Sequence, residues 1–440
     1  MLIYTHGVRY GIRSGRITVA TMAYIPPHKR HSVDKGRPSP SVQLLAPFFE
    51  RNLSLRPQDS NKDKSGKIVY ANCAISRWFA VGLSDNNQLP SHIHLKPVSL
   101  ESIERRSGEK PLVLVNSHLD EENTELGEDD LLSPWAIIAE NVKQDLITSF
   151  ECLRNEMHCE GLDFIKPTLV ARFGKILFHG NPLGRPGNVQ RNQFDESISK
   201  RFKRSVYTNV PSSYMEYLTD VVVPNLGFSF EDEKDIYLVK LSDNTRPDLT
   251  VSCKCSVRAD KTLLLYKVEL NQVRQMVIDI ACLDKNLDLR LMLRTKRILT
   301  ALSDDEFDNI RDLINSAVLD LEVKGGLRWP LAKASSGNRY SVIGVWHTTA
   351  KAYRSPSLLR LKVRHADRFD FRTGTGEATR EAYLKLKGIV SELQEQKAES
   401  DAVSMLKDSL KLIWEHFLRS EPIFFNSIAI PVGPSVNGSV

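Results

Sequence analysis

Two segments of the chain alternate, with a period of two, between aliphatic and cationic side chains. That period constrains the fold more than any other feature of the sequence. In Leu289–Arg297, the side chains of Leu289, Leu291 and Leu293 alternate with those of Arg290, Arg294 and Lys296. In Leu359–Arg364, Leu359, Leu361 and Val363 alternate with Arg360, Lys362 and Arg364. Successive side chains of a strand point to opposite faces, so each segment is predicted to bury aliphatics on one side and present cations on the other. If both strands lie in one sheet, the cations form a basic surface suited to phosphates, with affinity that falls as salt rises. The alternative is an ordinary solvated face with carboxylates beside the cations.

The rest of the chain predicts an α+β fold of mostly antiparallel sheets with flanking helices. Two folded units are expected behind a disordered basic N-terminal arm. Residues 1–66 read as arm and loop, 67–180 as a first α+β unit and 181–211 as a basic linker. Residues 212–420 read as a second α+β unit and 421–440 as a tail. In the first unit, Lys67–Leu83 reads as a strand pair or a strand and a turn, and Ile93–Val98 and Pro111–Asn116 as strands. Ser99 is a candidate N-cap of a short helix ending near Gly108. Ser133 and Pro134 start a helix whose stripe is Trp135, Ile138, Val142, Leu146, Phe150, Leu153 and Met157. Thr168–His179 reads as a strand interrupted at Gly174. In the second unit, Ser213–Val222 reads as a helix stopped by Pro224. Asp235–Leu241, Leu249–Val257, Thr262–Leu270, Gln275–Cys282 and Asp288–Leu299 follow with short polar turns between several of them, the pattern of an antiparallel meander. Ser303 and Glu306 form a capping box for a helix with Phe307, Ile310, Ile314, Val318 and Leu321 on its buried side. Gly325–Ala332, Ser341–Thr348 and Ser357–Phe371 are predicted strands. Glu377–Gln396 and Asp401–Leu418 are predicted helices.

Charge is unevenly placed. The chain of 440 residues carries a net charge of +6 from 60 basic and 54 acidic residues. Arg9, Arg13, Arg16, Lys29, Arg30, Lys35 and Arg37, against the single acid Asp34, account for that whole excess within residues 1–40. The sequence therefore describes a basic arm on a neutral body. Residues 1–21, with three arginines and no acid, resemble a mitochondrial transit peptide; the alternative is an upstream extension before Met22. No apolar run is long enough to span a bilayer, and six unpatterned cysteines give no disulfide framework. A soluble chain is expected, cytoplasmic or nuclear, or mitochondrial if residues 1–21 are a transit peptide.

The commonest catalytic signatures are missing: no phosphate-binding G-x-x-x-x-G-K-[ST], no H-E-x-x-H, no C-x-x-C, no G-x-S-x-G and no kinase set. No cofactor and no metal are expected. Gly374-Thr375-Gly376 reads as a turn and a helix start. His92 and His94 share a strand face, but no third ligand is evident. Cys253 and Cys255 read as small half-buried thiols. The acids at 120–130 read as a solvated loop. Lys200, Arg201, Lys203 and Arg204 surround Phe202, with Tyr207 beyond, which suits single-stranded RNA, a nuclear-localisation signal or a plain basic linker.

Residues 22–32 (MAYIPPHKRHS) resemble the opening of an uncharacterised plant protein family, and Lys67–Leu83, Pro111–Asn116 and Thr168–Phe178 are similar to it as well. That resemblance implies no activity. Tyr24–Arg30 is similar to a Tyr-[Ile/Val]-Pro-Pro-His-Leu-Arg element in the N-terminal arms of some DEAD-box RNA helicases, with Lys29 in place of the leucine. It implies a docking segment, through Tyr24, Ile25, Pro26, Pro27, His28 and Arg30, for a partner in messenger-RNA translation or another ribonucleoprotein. The leading expectation is thus a non-enzymatic RNA-associated adaptor, touching phosphates through Arg290, Arg294, Lys296, Arg360, Lys362 and Arg364. The alternatives are an enzyme acting on nucleotides or phosphorylated RNA ends, and a protein-binding scaffold. Acids clustered beside Arg290 or Arg360 would favour the enzyme.

Overall fold

In the computed structural model of the chain the described residues are 69–81, 93–116, 133–159, 164–180, 202–246, 249–270, 272–298, 302–330, 335–336, 339–395 and 399–418. The N-terminal arm, the acidic run at 120–130, Lys200, Arg201 and the tail lie outside them. Strand β1 (Val69–Val81) is followed by β2 (Ile93–Pro97), helix α1 (Glu101–Ser107), β3 (Leu112–Asn116), helix α2 (Pro134–Cys159) and strand β4 (Phe164–His179). After β5 (Lys203–Tyr207), helix α3 (Ser212–Tyr217) continues through a π turn at Leu218–Val222 to Val223–Asn225. Then come β6 (Ser229–Asp243), β7 (Thr250–Val257), β8 (Leu263–Leu270), β9 (Val273–Cys282), β10 (Asp288–Ile298) and helix α4 (Asp304–Asn315). Short strands β11 (Val318–Leu319), β12 (Leu327–Arg328) and β13 (Ser335–Ser336) precede β14 (Tyr340–Arg354), β15 (Leu359–Asp370) and β16 (Thr375–Leu386). Helix α5 (Lys387–Gln394) and helix α6 (Glu399–Leu412), the latter extended by a π turn at Ile413–Phe417, complete the described chain.

The main sheet closes on itself. Strands β10, β8, β7, β6, β14, β15, β16 and β4 pair in that order, and β4 also pairs with β10, which completes an eight-stranded circuit. Every pairing in the circuit is antiparallel. Alternate side chains of a closed sheet face its interior or its outside. The joint between β8 and β10 is narrow: Ile298 opposite Glu269 is its one registered pair. Most of that edge of β10 belongs to β9, and β9 pairs on its far side with β1, in parallel. Strand β4 outlasts the barrel: residues 164–174 pair with β10, while Lys175–His179 pair with β5. The two units expected from sequence therefore share one sheet, and Asn61–Val440 form a single compact unit.

The hydrophobic core lies outside the barrel wall. Leu169, Ala171 and Phe173 of β4, Leu289, Leu291 and Leu293 of β10, Leu359 and Leu361 of β15, and Leu384 and Leu386 of β16 are all buried in one cluster. Covering them are Ile138, Val142, Leu146, Phe150 and Leu153 of α2, and Leu406 and Leu410 of α6. On the other side of the barrel Tyr237, Val239, Cys253, Cys255 and Val345 pack against Ile310, Leu313 and Ile314 of α4. Cys253 and Cys255 are fully buried, and burial pushes the Cys255 thiol up to about 12. The aliphatic half of each period-two strand thus faces the helices, and the polar half faces inward.

Several expectations are corrected. Of the two readings of Lys67–Leu83, the described part, Val69–Val81, is one strand, β1, and not a strand pair. The stretch read as a linker contains β5, which pairs with β4, and Phe202 is buried at 6% exposure against Phe178. Ser99 lies ahead of α1 as a donor to Glu104 (2.7 Å), and Leu100 is the cap residue. The capping box of Ser303 and Glu306 is present, but α4 ends at Asn315, so Val318 and Leu321 are exposed. Thr375–Leu386, expected to open a helix, is strand β16. Its helix-forming residues yield to ladders with β15 on one edge and β4 on the other, because tertiary pairing outweighs small intrinsic preferences.

Gly174 sits where β4 leaves the barrel and β5 comes close. A Cβ there would lie 2.1 Å from the Tyr207 carbonyl oxygen, a backbone atom that cannot step aside. Gly174→Ala is therefore expected to lower stability by about 1–3 kcal/mol, the usual cost of overpacking, read as a lower urea midpoint.

Candidate anion-binding site

Register alone gathers the inward side chains. Residues directly opposite one another in neighbouring strands share a face. One row runs from Lys362 on β15 to Tyr383 on β16, Arg172 on β4, Arg290 on β10 and Asp279 on β9. A second pairs Arg360 with Lys385, and a third pairs Arg364 with Glu381. Thr168 of β4 lies opposite Arg294 of β10. Both alternating strands picked out from sequence thus send their cations to the same enclosed side.

Two carboxylates organise part of this charge. Glu269, nearly buried on β8, accepts from Lys254 (2.9 Å), Lys267 (3.0 Å) and Lys296 (3.2 Å). Burial opposes its ionisation, but Lys296, Lys254 and Lys267 overcome that and bring its pKa to about 2. One carboxylate against three ammoniums leaves the spot positive, and burial together with Lys254 lowers Lys296 to about 7 despite Glu269. Glu381 on β16 bridges Arg364 and Arg368. Further along the lumen Lys240 stands 3.8 Å from the Trp346 ring centroid, with Arg368 at 4.9 Å from the same ring. Burial and Arg368 lower Lys240 to about 8.

The remaining cations have no such partner. Arg172, Arg294, Lys362 and Lys385 form no ion pair with any carboxylate among the described residues; Arg294 donates to the Gln272 side chain at 2.6 Å. Burial lowers the Arg172 pKa to about 9, with Arg294 and Arg364 adding to the effect against Glu381. Burial, then Lys362, Arg294, Lys296 and Arg360, lower Lys385 to about 6. Tyr383 lies between them, with the guanidiniums of Arg172 and Arg364 each 5.8 Å from its ring centroid. Burial alone would push its phenol up, yet Arg364, Lys362, Arg294 and Arg172 together hold it below the ordinary value. A tyrosine that ionises more readily despite burial marks a strongly positive spot. An isolated buried charge is costly, and an anion with several oxygens offsets that cost for several cations at once.

The other residues singled out from sequence are spread more widely. Arg290 is held by Asp279 through two hydrogen bonds, of 2.6 and 2.9 Å. Arg360 is engaged by Glu231 and Asp232. Acids thus do stand beside Arg290 and Arg360, each already in an ion pair. Lys203 is exposed on β5, and Arg204 lies 5.8 Å from the Trp78 ring centroid. The residues Tyr24, Ile25, Pro26, Pro27, His28, Arg30, Lys200 and Arg201 fall outside the described residues, as does His92. No grouping of three or more His, Cys, Asp or Glu fit to hold a metal occurs among the described residues, and none of their helices is long and apolar enough to cross a membrane. Sequence reasoning missed Arg172, Glu269, Glu381, Tyr383 and Lys385. The signal for three of them was present: Glu381-Ala382-Tyr383-Leu384-Lys385-Leu386 alternates with period two.

Glu269→Gln would strand three lysines. It is expected to cost about 3–5 kcal/mol at neutral pH, the range for breaking a buried ion pair from one side. The folded pKa is depressed from 4.5, so this contribution is fully present above about 4.5 and is lost as pH falls toward about 2. The urea midpoints of E269Q and the natural protein should converge across that window.

Two structures of the S. pombe Pct1 RNA triphosphatase are similar to this chain. One, in complex with the Spt5 CTD, has a TM-score of 0.38 and 10% identity and covers 67% of this chain and 97% of that one. The other has a TM-score of 0.37 and 11% identity and covers 67% and 96%. Likenesses this remote carry no functional argument. No curated protein matches the chain. The family described as "Domain of unknown function (DUF7903)" matches residues 62–417, and the chain belongs to it.

Proposed function

We propose that the barrel binds the phosphorylated end of a nucleotide or of an RNA strand. Its phosphates would lie among Arg172, Arg294, Lys362 and Lys385. The observation that carries this reading is the gathering of Arg172, Arg294 and Lys362 around Tyr383, with Lys385 two positions along the same strand face, none of the four in an ion pair with a carboxylate among the described residues. Guanidiniums grip phosphate oxygens in pairs, ammoniums act as point charges, and the Tyr383 hydroxyl can donate one more hydrogen bond. Enclosure favours an end over a continuous backbone. A phosphodiester chain can run across an open basic face, but the inward face of a closed sheet accepts a terminus. The inward carboxylates favour binding over hydrolysis, because Glu269 and Glu381 are each engaged by two or more cations. An RNA-associated role follows naturally from such a site, with Tyr24–Arg30 of the arm as a separate docking segment for a partner.

A nucleoside triphosphate should bind the full chain at low salt, far more tightly than the monophosphate, and the affinity should fall steeply as salt rises. RNA with a 5′ triphosphate should compete better than the same RNA with a 5′ hydroxyl. Arg172→Met and Lys385→Met should each weaken binding about tenfold or more, equivalent to about 1.4 kcal/mol. Without ligand, K385M should melt at a higher temperature than the natural protein at neutral pH, since the cost of holding a lysine that must give up its proton to be buried is gone. Equal affinity for both RNA ends would overturn the proposal.

A pH dependence follows from Lys385. Its folded pKa lies near 6 rather than 10.5, so the cost of charging it is full below about 6 and fades as pH rises toward 10.5. A bound polyanion restores the charge. Binding should therefore take up protons and weaken as pH rises above about 6, which calorimetry in two buffers of different ionisation enthalpy would detect.

A further inference from the structure

A cavity of about 530 Å³ opens where the start of β4, the end of β16 and helix α5 meet. Its volume is ordinary for a small-molecule site. It borders the lumen directly: Thr168, Arg360 and Lys385 line the cavity and also stand on the inward face by register. Its far wall differs from the lumen. Ile165, Leu169 and Val390 supply an aliphatic surface, and Ser391 and Gln394 of α5 add polar groups. The side chains of Ser391 and Gln394 make no hydrogen bond among the described residues.

We infer that this cavity seats the nucleoside attached to the bound phosphates, so that the ligand lies with its phosphates among the lumen cations and its base and sugar against α5. The inference rests on the phosphate-binding reading and adds the ligand's class and direction to it. Three features of the lining argue for a nucleoside over the other occupants of such a space. A further phosphate would find Lys166 and Lys387 as well as Arg360 and Lys385, but would leave the aliphatic wall and the hydroxyl and amide groups of α5 unused. A plain hydrocarbon tail would match Ile165, Leu169 and Val390 but would cover the half-buried Thr168 and Ser391 and displace their water with nothing for them to bond in return. A nucleoside has flat apolar faces for the aliphatic wall. Its ring edges and hydroxyls carry both donors and acceptors, matching the hydroxyls of Thr168 and Ser391 and the amide of Gln394. Lys385 stands at the junction, where the phosphate nearest the sugar would lie.

The test compares two probes, a nucleoside triphosphate and inorganic tripolyphosphate, on the full chain by calorimetry. Ser391→Phe fills the cavity from the α5 side. It is expected to weaken the nucleoside triphosphate at least tenfold and to change tripolyphosphate by less than twofold. Gln394→Ala, at an exposed position, provides a second arm: it should alter the ranking among nucleoside triphosphates of different base and leave tripolyphosphate unchanged. Lys385→Met should weaken both probes. If the natural protein binds neither probe, the phosphate reading itself fails. If both probes bind equally well and neither S391F nor Q394A separates them, the phosphate reading stands and the nucleoside inference is overturned. Equal weakening of both probes by S391F, with Q394A silent, overturns it as well.

Discussion

The aliphatic side chains of β4, β10, β15 and β16 turn outward onto α2 and α6, and the charge inside the barrel depends on that placement. A small closed barrel usually fills its interior with side chains that hold it together. Here the apolar contacts that stabilise the wall are made on its outer surface, so the interior is released from that role. Cations can then stand on the inward face at a tolerable cost, with Glu269 and Glu381 holding the most crowded groups. The remaining positive charge is concentrated around Tyr383, where it can act on a ligand.

Unpaired charge of this kind is what the proposed anion site depends on. Charges that were paired one to one would contribute little to binding, since an anion would have to displace a carboxylate first. Arg290 illustrates that case, with both its hydrogen bonds committed to Asp279. Arg172 and Lys385 illustrate the other, and their depressed pKa values express the free energy that an anion would recover.

Much of the wall was readable from residues, and the reason is local. Leu359–Arg364 alternates without interruption and Leu289–Arg294 is broken only by Met292, so β10 and β15 declared both their conformation and their two-faced character. The capping box at Ser303 and the stripe of α2 were equally local. β16 was misread because Glu377–Leu386 is rich in helix formers and follows a glycine turn, and Tyr383 and Lys385 were lost with it. Period two says that a strand has two faces; it does not say which face becomes enclosed. Enclosure depends on residues 164–174 finding residues 288–298, a pairing of distant segments that no local pattern encodes.

That pairing also determines how the chain can be divided. The glycine- and proline-rich stretch after His179 looks like a natural place to cut, yet β4 lies before it and the other seven barrel strands lie after it. A fragment starting beyond that stretch would lack one stave and would bare the facing edges of β10 and β16, with their backbone donors and acceptors unmatched. Open edges recruit further strands, from another copy if necessary. Such a fragment would tend to self-associate, and an exchanged β4 between two copies would be its simplest repair.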